Sequence, residues 1–288
     1  MISSQDGTEE RRAYMKGGLL LERIGLPHST RQKQAADMYN TTGFTRAEIT
    51  ELCERIESFP LSLGMRRWPP VLGLRRALTA TLTYLRRNRV QAEIAEDYGV
   101  SQPTISRAIS AVTPLLVKAL REFVPVADEL AGGGHYFVDG TLLPCWTWRA
   151  HPELRSGKHR ATGMKVLLAC TPGGRLAWVS DPATGNRHDF YILKEAGLAG
   201  GTAPSVFCGD SGFIGSGIIH PIRKPRFTEF EPWEKAYNKS IAQIRWIIEQ
   251  VIANFKTWRI MHTDYRRPFE TFPETISAVV ALQFYADA

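Results

Sequence analysis

The run HYFVDG, residues 135–140, is an apolar stretch that closes on an aspartate and a glycine, directly after the glycine triplet 132–134. Its β-branched and aromatic residues between turn signals read as a short buried strand opening a new unit. The same pattern returns in MKVLLAC (164–170), LAWVS (176–180) and SVFCGD (205–210), the last also ending on an acid, Asp210. A helical segment at about 188–196 separates the third and fourth strands. A loop rich in proline and charge, 221–232, leads to a long helix over about 234–256. Three strands, a helix, a fourth strand and a long helix make an α/β order, with helices packed on a central mixed sheet.

Asp139 and Asp210 each end an apolar strand. Carboxylates at the ends of neighbouring strands can converge, and a divalent cation removes the repulsion between them. Hard oxygen donors select Mg2+ or Mn2+. A lone Asp-Gly is usually a turn cap; two strand-end aspartates followed by a suitable third acid are more specific. That third acid is Glu249, in QIRWIIEQVIANFKTWR (243–259). At about 100° per residue, Glu249 lies about 40° and Lys256 about 20° from Arg245, so all three share one stripe of the helix. Ile244, Ile248, Val251 and Phe255 form the adjacent apolar stripe, which docks the helix on the sheet. Arg245 and Glu249 in isolation would be an ordinary i,i+4 surface pair. Asp189, in the His188-Asp189 pair, is another candidate acid; Asp210 is preferred because it ends a strand, whereas Asp189 begins a helix, where Asp is a routine cap.

Upstream, helical signals begin at Thr45, three residues before Glu48. Leu74, Leu78, Leu82 and Leu85 follow at helical spacing, as one apolar stripe on an arginine-decorated helix. The stretch RVQAEIAEDYGVSQPTISRAISAV (89–112) reads as a helix-turn-helix. Ala95 permits two helices to cross closely, Gly99 supplies the tight turn, and Ile105 fills the space between the helices with Ile94 and Val100. Ser101 is the natural N-cap of the second helix. Gln102, Thr104, Ser106 and Arg107 then fall on its early exposed turns, where a recognition helix meets DNA. A further helix is expected over 114–123. An ordinary helical hairpin would share much of this pattern, but the arginine-rich segment before it favours DNA.

Between Pro60 and Ala92 the chain carries Arg66, Arg67, Arg75, Arg76, Arg86, Arg87 and Arg89 and no acid. Such a run is either solvated or laid against phosphates. The 288 residues allow two domains, the hydrophobic share of 43% excludes wholesale disorder, and the formal net charge of +7 suits a polyanionic partner. The four cysteines, Cys53, Cys145, Cys170 and Cys208, are scattered without a C-x-x-C pair, which disfavours zinc and disulfides. Free thiols and the lack of a signal peptide point to the cytoplasm. No apolar run approaches the roughly 20 residues of a membrane span. The domains expected are a flexible or helical segment 1–40, a helix-turn-helix domain 41–131 and a nuclease domain 132–288.

With YFVDGT (136–141), GNRHDF (185–190), GDSGF (209–213), Asn238 and R-x3-E-x6-K (245–256), the sequence resembles bacterial insertion-sequence transposases of the DDE type, closest to the insertion-sequence-five group and the related Harbinger-like endonucleases. SQPTISR resembles the DNA-binding region of the same group. A related signature places tyrosine three residues before the arginine, where this chain has Ala242. The resemblance implies a ribonuclease-H-like mixed sheet with flanking helices after an all-α helix-turn-helix domain. It implies Asp139, Asp210 and Glu249 as catalytic metal ligands, and Arg245 and Lys256 as contacts to the transposon end. The chemistry implied is phosphoryl transfer with two Mg2+ or Mn2+ ions. The implied partners are double-stranded DNA of the terminal inverted repeats and target, and a homodimer or higher assembly in a nucleoid-associated complex. The rival readings are a nuclease that no longer transposes and a DNA-binding regulator with a dead nuclease fold; a regulator has no need of three converging carboxylates.

Overall fold

The computed structural model describes residues 38–59, 67–146, 150–199, 205–224, 226–227 and 229–288. Residues 1–37, most of the expected N-terminal segment, and Arg66 lie outside the described residues.

The chain begins with helices. A short α1 (Tyr39–Thr42) precedes α2 (Arg46–Ser58), whose start is a capping box. The Glu48 amide donates to Thr45 Oγ1, and the Thr45 amide donates to Glu48 Oε2 at 2.7 Å. Helix α3 (Gly73–Arg87) departs from the single-stripe expectation, because it is buried on nearly every side from Leu74 to Leu85. The buried threonines of this helix are internally satisfied. Thr79, Thr81 and Thr83 each donate to the carbonyl four residues back, at 2.8, 2.8 and 2.9 Å. Back-bonded in this way, a threonine packs as a small apolar residue.

Helices α4 (Gln91–Tyr98) and α5 (Gln102–Ala119) are joined by Gly99, whose φ of 63° is the left-handed turn that glycine adopts without strain. Ile94, Ala95 and Ile105 are buried at the crossing, as expected. The separate helix expected at 114–123 does not exist; α5 runs through Pro114 to Ala119, and a 3-10 turn follows at Arg121–Phe123. Proline removes one backbone donor, but Ile109, Val112, Leu115 and Leu116 bury this helix on both sides of it, and packing outweighs that loss.

A six-stranded mixed sheet follows. Strand β1 (His135–Pro144) pairs antiparallel along the length of β3 (Ala161–Cys170). The other edge of β3 takes β2 (Arg155–Ser156), β5 (Ala183–Thr184) and β4 (Leu176–Val179) end to end. On its free side β1 pairs in parallel with β6 (Val206–Cys208). Side chains alternate across the sheet. Val138, Leu167 and Ala169 face a cluster built with α6 (Asp189–Glu195), which contributes Ile192 and Leu193. Val166, Leu168 and Cys170 face a larger cluster built with α7 (Pro232–Phe255) and α8 (Phe272–Asp287).

That larger cluster is continuous with the helical region, running from Phe44, Leu78 and Leu116 to Phe255, Trp258 and Leu282. Inside it Trp258 Nε1 donates to Gln283 Oε1 at 3.0 Å, and Arg266 Nη2 ties the two regions together by donating to the Asn88 carbonyl at 2.7 Å. Helix α7 docks through Ile241, Ile248, Val251 and Phe255; Ile244, expected in this stripe, is only half-buried. All four cysteines are free, and no described helix is long and apolar enough to cross a membrane.

Candidate active site

Asp139 sits in the middle of β1 and is buried. Because Val138 points to the α6 side, the Asp139 side chain points to the side carrying α7. There its Oδ2 receives Arg245 Nη2 at 3.2 Å, while Oδ1 accepts from the Gly140 amide at 2.8 Å. The same Arg245 Nη2 lies 3.8 Å from Oε1 of the exposed Glu249, one turn along α7. The common stripe expected for Arg245 and Glu249 therefore exists, and it meets β1 at Asp139.

Asp210 arrives by the parallel register. Phe137 pairs with Cys208, and Asp139 and Asp210 each follow two residues later. Strand β6 ends at Cys208, and Asp210 caps the 3-10 turn Ser211–Phe213, its Oδ1 accepting the Gly212 amide at 2.7 Å. Lys158 Nζ lies 3.5 Å from Asp210 Oδ2. Burial first, and the Asp210 charge as well, push the Asp139 carboxyl above its ordinary range, against the opposing pull of Arg245 and the Gly140 amide.

Among the described residues, no three His, Cys, Asp or Glu side chains stand close enough, as placed, to hold a metal ion. The donor chemistry nevertheless suits a hard divalent cation. A buried carboxylate is penalised by burial and by a second carboxylate, and the cation against it is a guanidinium shared with Glu249.

Asp189 is placed differently. A side chain built on Gly140 would strike the Asp189 carboxyl carbon at 2.8 Å, so Asp189 packs on the face of β1 away from the Asp139 side chain. It is buried with Lys165, whose Nζ lies 2.9 Å from Asp189 Oδ1 and donates to the Arg187 carbonyl at 2.7 Å. A lysine inside the apolar run MKVLLAC was the sequence signal for this pair. Neither Lys158 nor His159, in the turn between β2 and β3, was singled out from the sequence. The His159 imidazole is held below its usual range by partial burial and by Lys158, Lys165 and Lys256, with Asp189 opposing. Asn238 lies within α7 rather than before it. It clamps the preceding loop by accepting the Ile222 amide at 2.8 Å and donating to its carbonyl at 3.0 Å.

On the helix-turn-helix, Gln102 and Arg107 are exposed and Ser106 is half-buried. Thr104, expected on the exposed face, is buried; its hydroxyl lies 3.0 Å from that of Ser101 and accepts from Arg107 Nη2 at 3.3 Å. Ser101 occupies the N-cap position but makes no side-chain cap bond. A cavity of about 570 Å3 opens beside Arg107, walled by Arg67, Trp68 and Val71, which sequence reading had not placed next to this helix. Several other arginines are structural. Arg89 pairs with Glu93 and Asp97, Arg76 donates to the Tyr98 carbonyl at 2.7 Å, and Arg75 donates to Thr50 Oγ1 at 2.7 Å.

The model of the family described as DDE superfamily endonuclease matches residues 138–283. A protein named as a transposase for insertion sequence element IS112, from Streptomyces albus G, is 30% identical over 198 residues, covering 68% of this chain and 73% of that relative. The chain belongs to the DDE-type insertion-sequence transposases. A second transposase, named for insertion sequence element IS702 of Microchaete diplosiphon, is 23% identical over 213 residues, covering 70% of this chain and 77% of that relative. The model described as helix-turn-helix of DDE superfamily endonuclease matches residues 70–122, which contain α3, α4 and α5 of this transposase. Asp139, Asp210, Arg245, Glu249 and Lys256 of the transposase all fall inside the endonuclease match. No solved structure matches it.

Proposed function

We propose that this transposase binds the terminal inverted repeats of its element and catalyses divalent-metal-dependent strand cleavage and strand transfer. We further propose that Asp139, Asp210 and Glu249 are its catalytic acids. The observation that supports the reading is the electrostatic link of Asp139 to Asp210 on one side and, through Arg245, to Glu249 on the other. Asp210 follows the parallel register to Asp139, and Arg245 reaches both Asp139 and Glu249. Asp189, packed against Gly140 on the opposite face and paired with Lys165, has a structural role in this account.

These carboxylates would hold Mg2+ or Mn2+, two ions in the full complement, supplying activation of a water or 3′-hydroxyl and stabilisation of the leaving oxygen. In the protein's own terms, Asp139 contributes negative charge from within a strand and Asp210 from the capped turn just past the neighbouring strand, where a ligand is held in place rather than recruited. Arg245 keeps the Asp139 carboxyl oriented. Lys158, exposed above Asp210, is positioned to accompany a phosphate. Lys256 and Arg245 are assigned to the transposon end, and Gln102, Ser106 and Arg107 to the groove of the repeat. Residues 41–131 would grip DNA and 132–288 would cut it, within a homodimer or larger synaptic complex on the cytoplasmic nucleoid. The test is incubation of the full chain with end-repeat duplexes and Mg2+. Cleavage at the repeat boundary supports the reading, and metal-independent cleavage or none contradicts it.

A further inference from the structure

Where the end of α3 meets the last turns of α7 lies a cavity of about 600 Å3. Its wall includes four cations, Arg86, Arg87, Lys256 and Arg259, together with His262, against one carboxylate, Glu249. The C-terminal ends of α3 and α7 contribute roughly half a negative charge each. With Glu249 this makes about two negative charges facing four positive ones. Basic residues answering helix dipoles therefore account for only part of the cluster.

Two of the cations are also drawn out of water. Arg86 stacks over the Trp258 ring at 5.1 Å and donates to Thr257 Oγ1 at 2.8 Å, and Lys256 is half-buried. Burial holds both below their usual ranges, and Arg87 adds repulsion at Arg86. Among the described residues, no carboxylate pairs with Arg87, Lys256 or Arg259. An excess of cations, partly desolvated and held at a cavity of ligand size, is completed by an anion.

We propose that this cavity seats one phosphodiester of the bound DNA strand beside the bond that is cut, and that Arg87 and Arg259 bind DNA together with Lys256. The inference rests on the transposase reading and adds to it a point where the helix-turn-helix region and the nuclease helix grip the same strand. Arg87 ends α3, which packs directly on the helix-turn-helix, whereas Lys256 is the C-cap of the helix carrying Glu249. A phosphate held by both fixes the distance from the recognised sequence to the acid.

The experiment uses the full chain and the double variant R87A/R259A with end-repeat duplexes. In these, single phosphates are replaced one at a time by neutral methylphosphonates. Both arginines are exposed, so the thermal midpoint of the variant is expected to stay unchanged. Its plot of log affinity against log salt is expected to flatten by about 0.9, the release for one phosphate of duplex DNA. One neutral linkage near the cleaved bond is expected to weaken wild-type binding and to have no further effect on the variant. Unchanged affinity and salt slope in the variant, or no linkage coupled to the two arginines, would overturn this inference while leaving the transposase reading standing. Failure of the wild type to bind any end-repeat duplex would overturn both.

Discussion

Asp139 and Asp189 approach strand β1 from opposite sides. Asp139 projects toward α7 and meets Arg245 at 3.2 Å, while Asp189 lies against Gly140 on the other face and meets Lys165 at 2.9 Å. The two aspartates have different partners and different surroundings, and their substitutions are expected to fail in different ways.

For Asp189 and Lys165 the expected loss is stability. Lys165→Met leaves a buried carboxylate without its cation and is expected to cost about 3–5 kcal/mol. Asp189→Asn keeps the shape beside Gly140 and is expected to destabilise the fold while retaining metal-dependent cleavage per folded molecule. Urea unfolding combined with cleavage normalised to the folded fraction measures both. A well-folded but inactive Asp189→Asn would transfer the catalytic role from Asp210 to Asp189.

For Asp139 the expectation concerns pH. Burial and Asp210 raise its folded-state value above the ordinary 3.8. A raised carboxyl contributes stability that is fully present below the unfolded value and lost as pH rises through the folded one. Without metal, Asp139→Asn is therefore expected to be more stable than wild type at neutral pH, with the difference shrinking as pH falls toward 3.8. Adding Mg2+ is expected to raise the melting temperature of wild type and not of the variant. Denaturation curves in chelator across this pH range decide the sign; a variant less stable at neutral pH contradicts the account.

On the helix-turn-helix, exposure separates contacts from packing. Arg107→Ala is expected to weaken binding to the end repeat by about 1–3 kcal/mol if the guanidinium reads a base edge. Thr104→Val, at a buried position, is expected to leave sequence preference intact. Fluorescence anisotropy of the full chain with matched and mutated repeats compares them, and a Thr104→Val variant with relaxed preference would restore that residue to the interface.

The continuous core makes a claim about fragments. Helix α5 packs on α8, and α3 packs on the turn Arg259–Met261. A chain ending at residue 131 loses both covers and is expected to melt without cooperativity and to bind a hydrophobic dye. A sharp two-state melt of that fragment would show that the helical region closes its own core.

The sequence was informative wherever a residue's chemistry and its period agreed. The strands leading to Asp139 and Asp210, the helix carrying Arg245 and Glu249, and the turn at Gly99 all announce themselves by local pattern, although β1 runs on past Asp139 to Pro144 and β6 stops at Cys208, two residues short of Asp210. It was misleading where tertiary packing reassigns a residue. Thr79, Thr81 and Thr83 look polar until their hydroxyls bond backward, Thr104 looks exposed until Ser101 and Arg107 enclose it, and Pro114 looks like a helix stop until its neighbours are buried. The joining of Arg87 to Lys256 across one cavity could not be read at all, because nothing in a linear pattern records which helix ends meet.

The central claim is tested most directly by metal-dependent cleavage of end-repeat DNA, with DNA binding measured on the same samples. Asp139→Asn, Asp210→Asn and Glu249→Gln are each expected to abolish cleavage in Mg2+ and in Mn2+ while holding DNA with an affinity close to wild type. Full metal-dependent cleavage by all three variants would contradict the account.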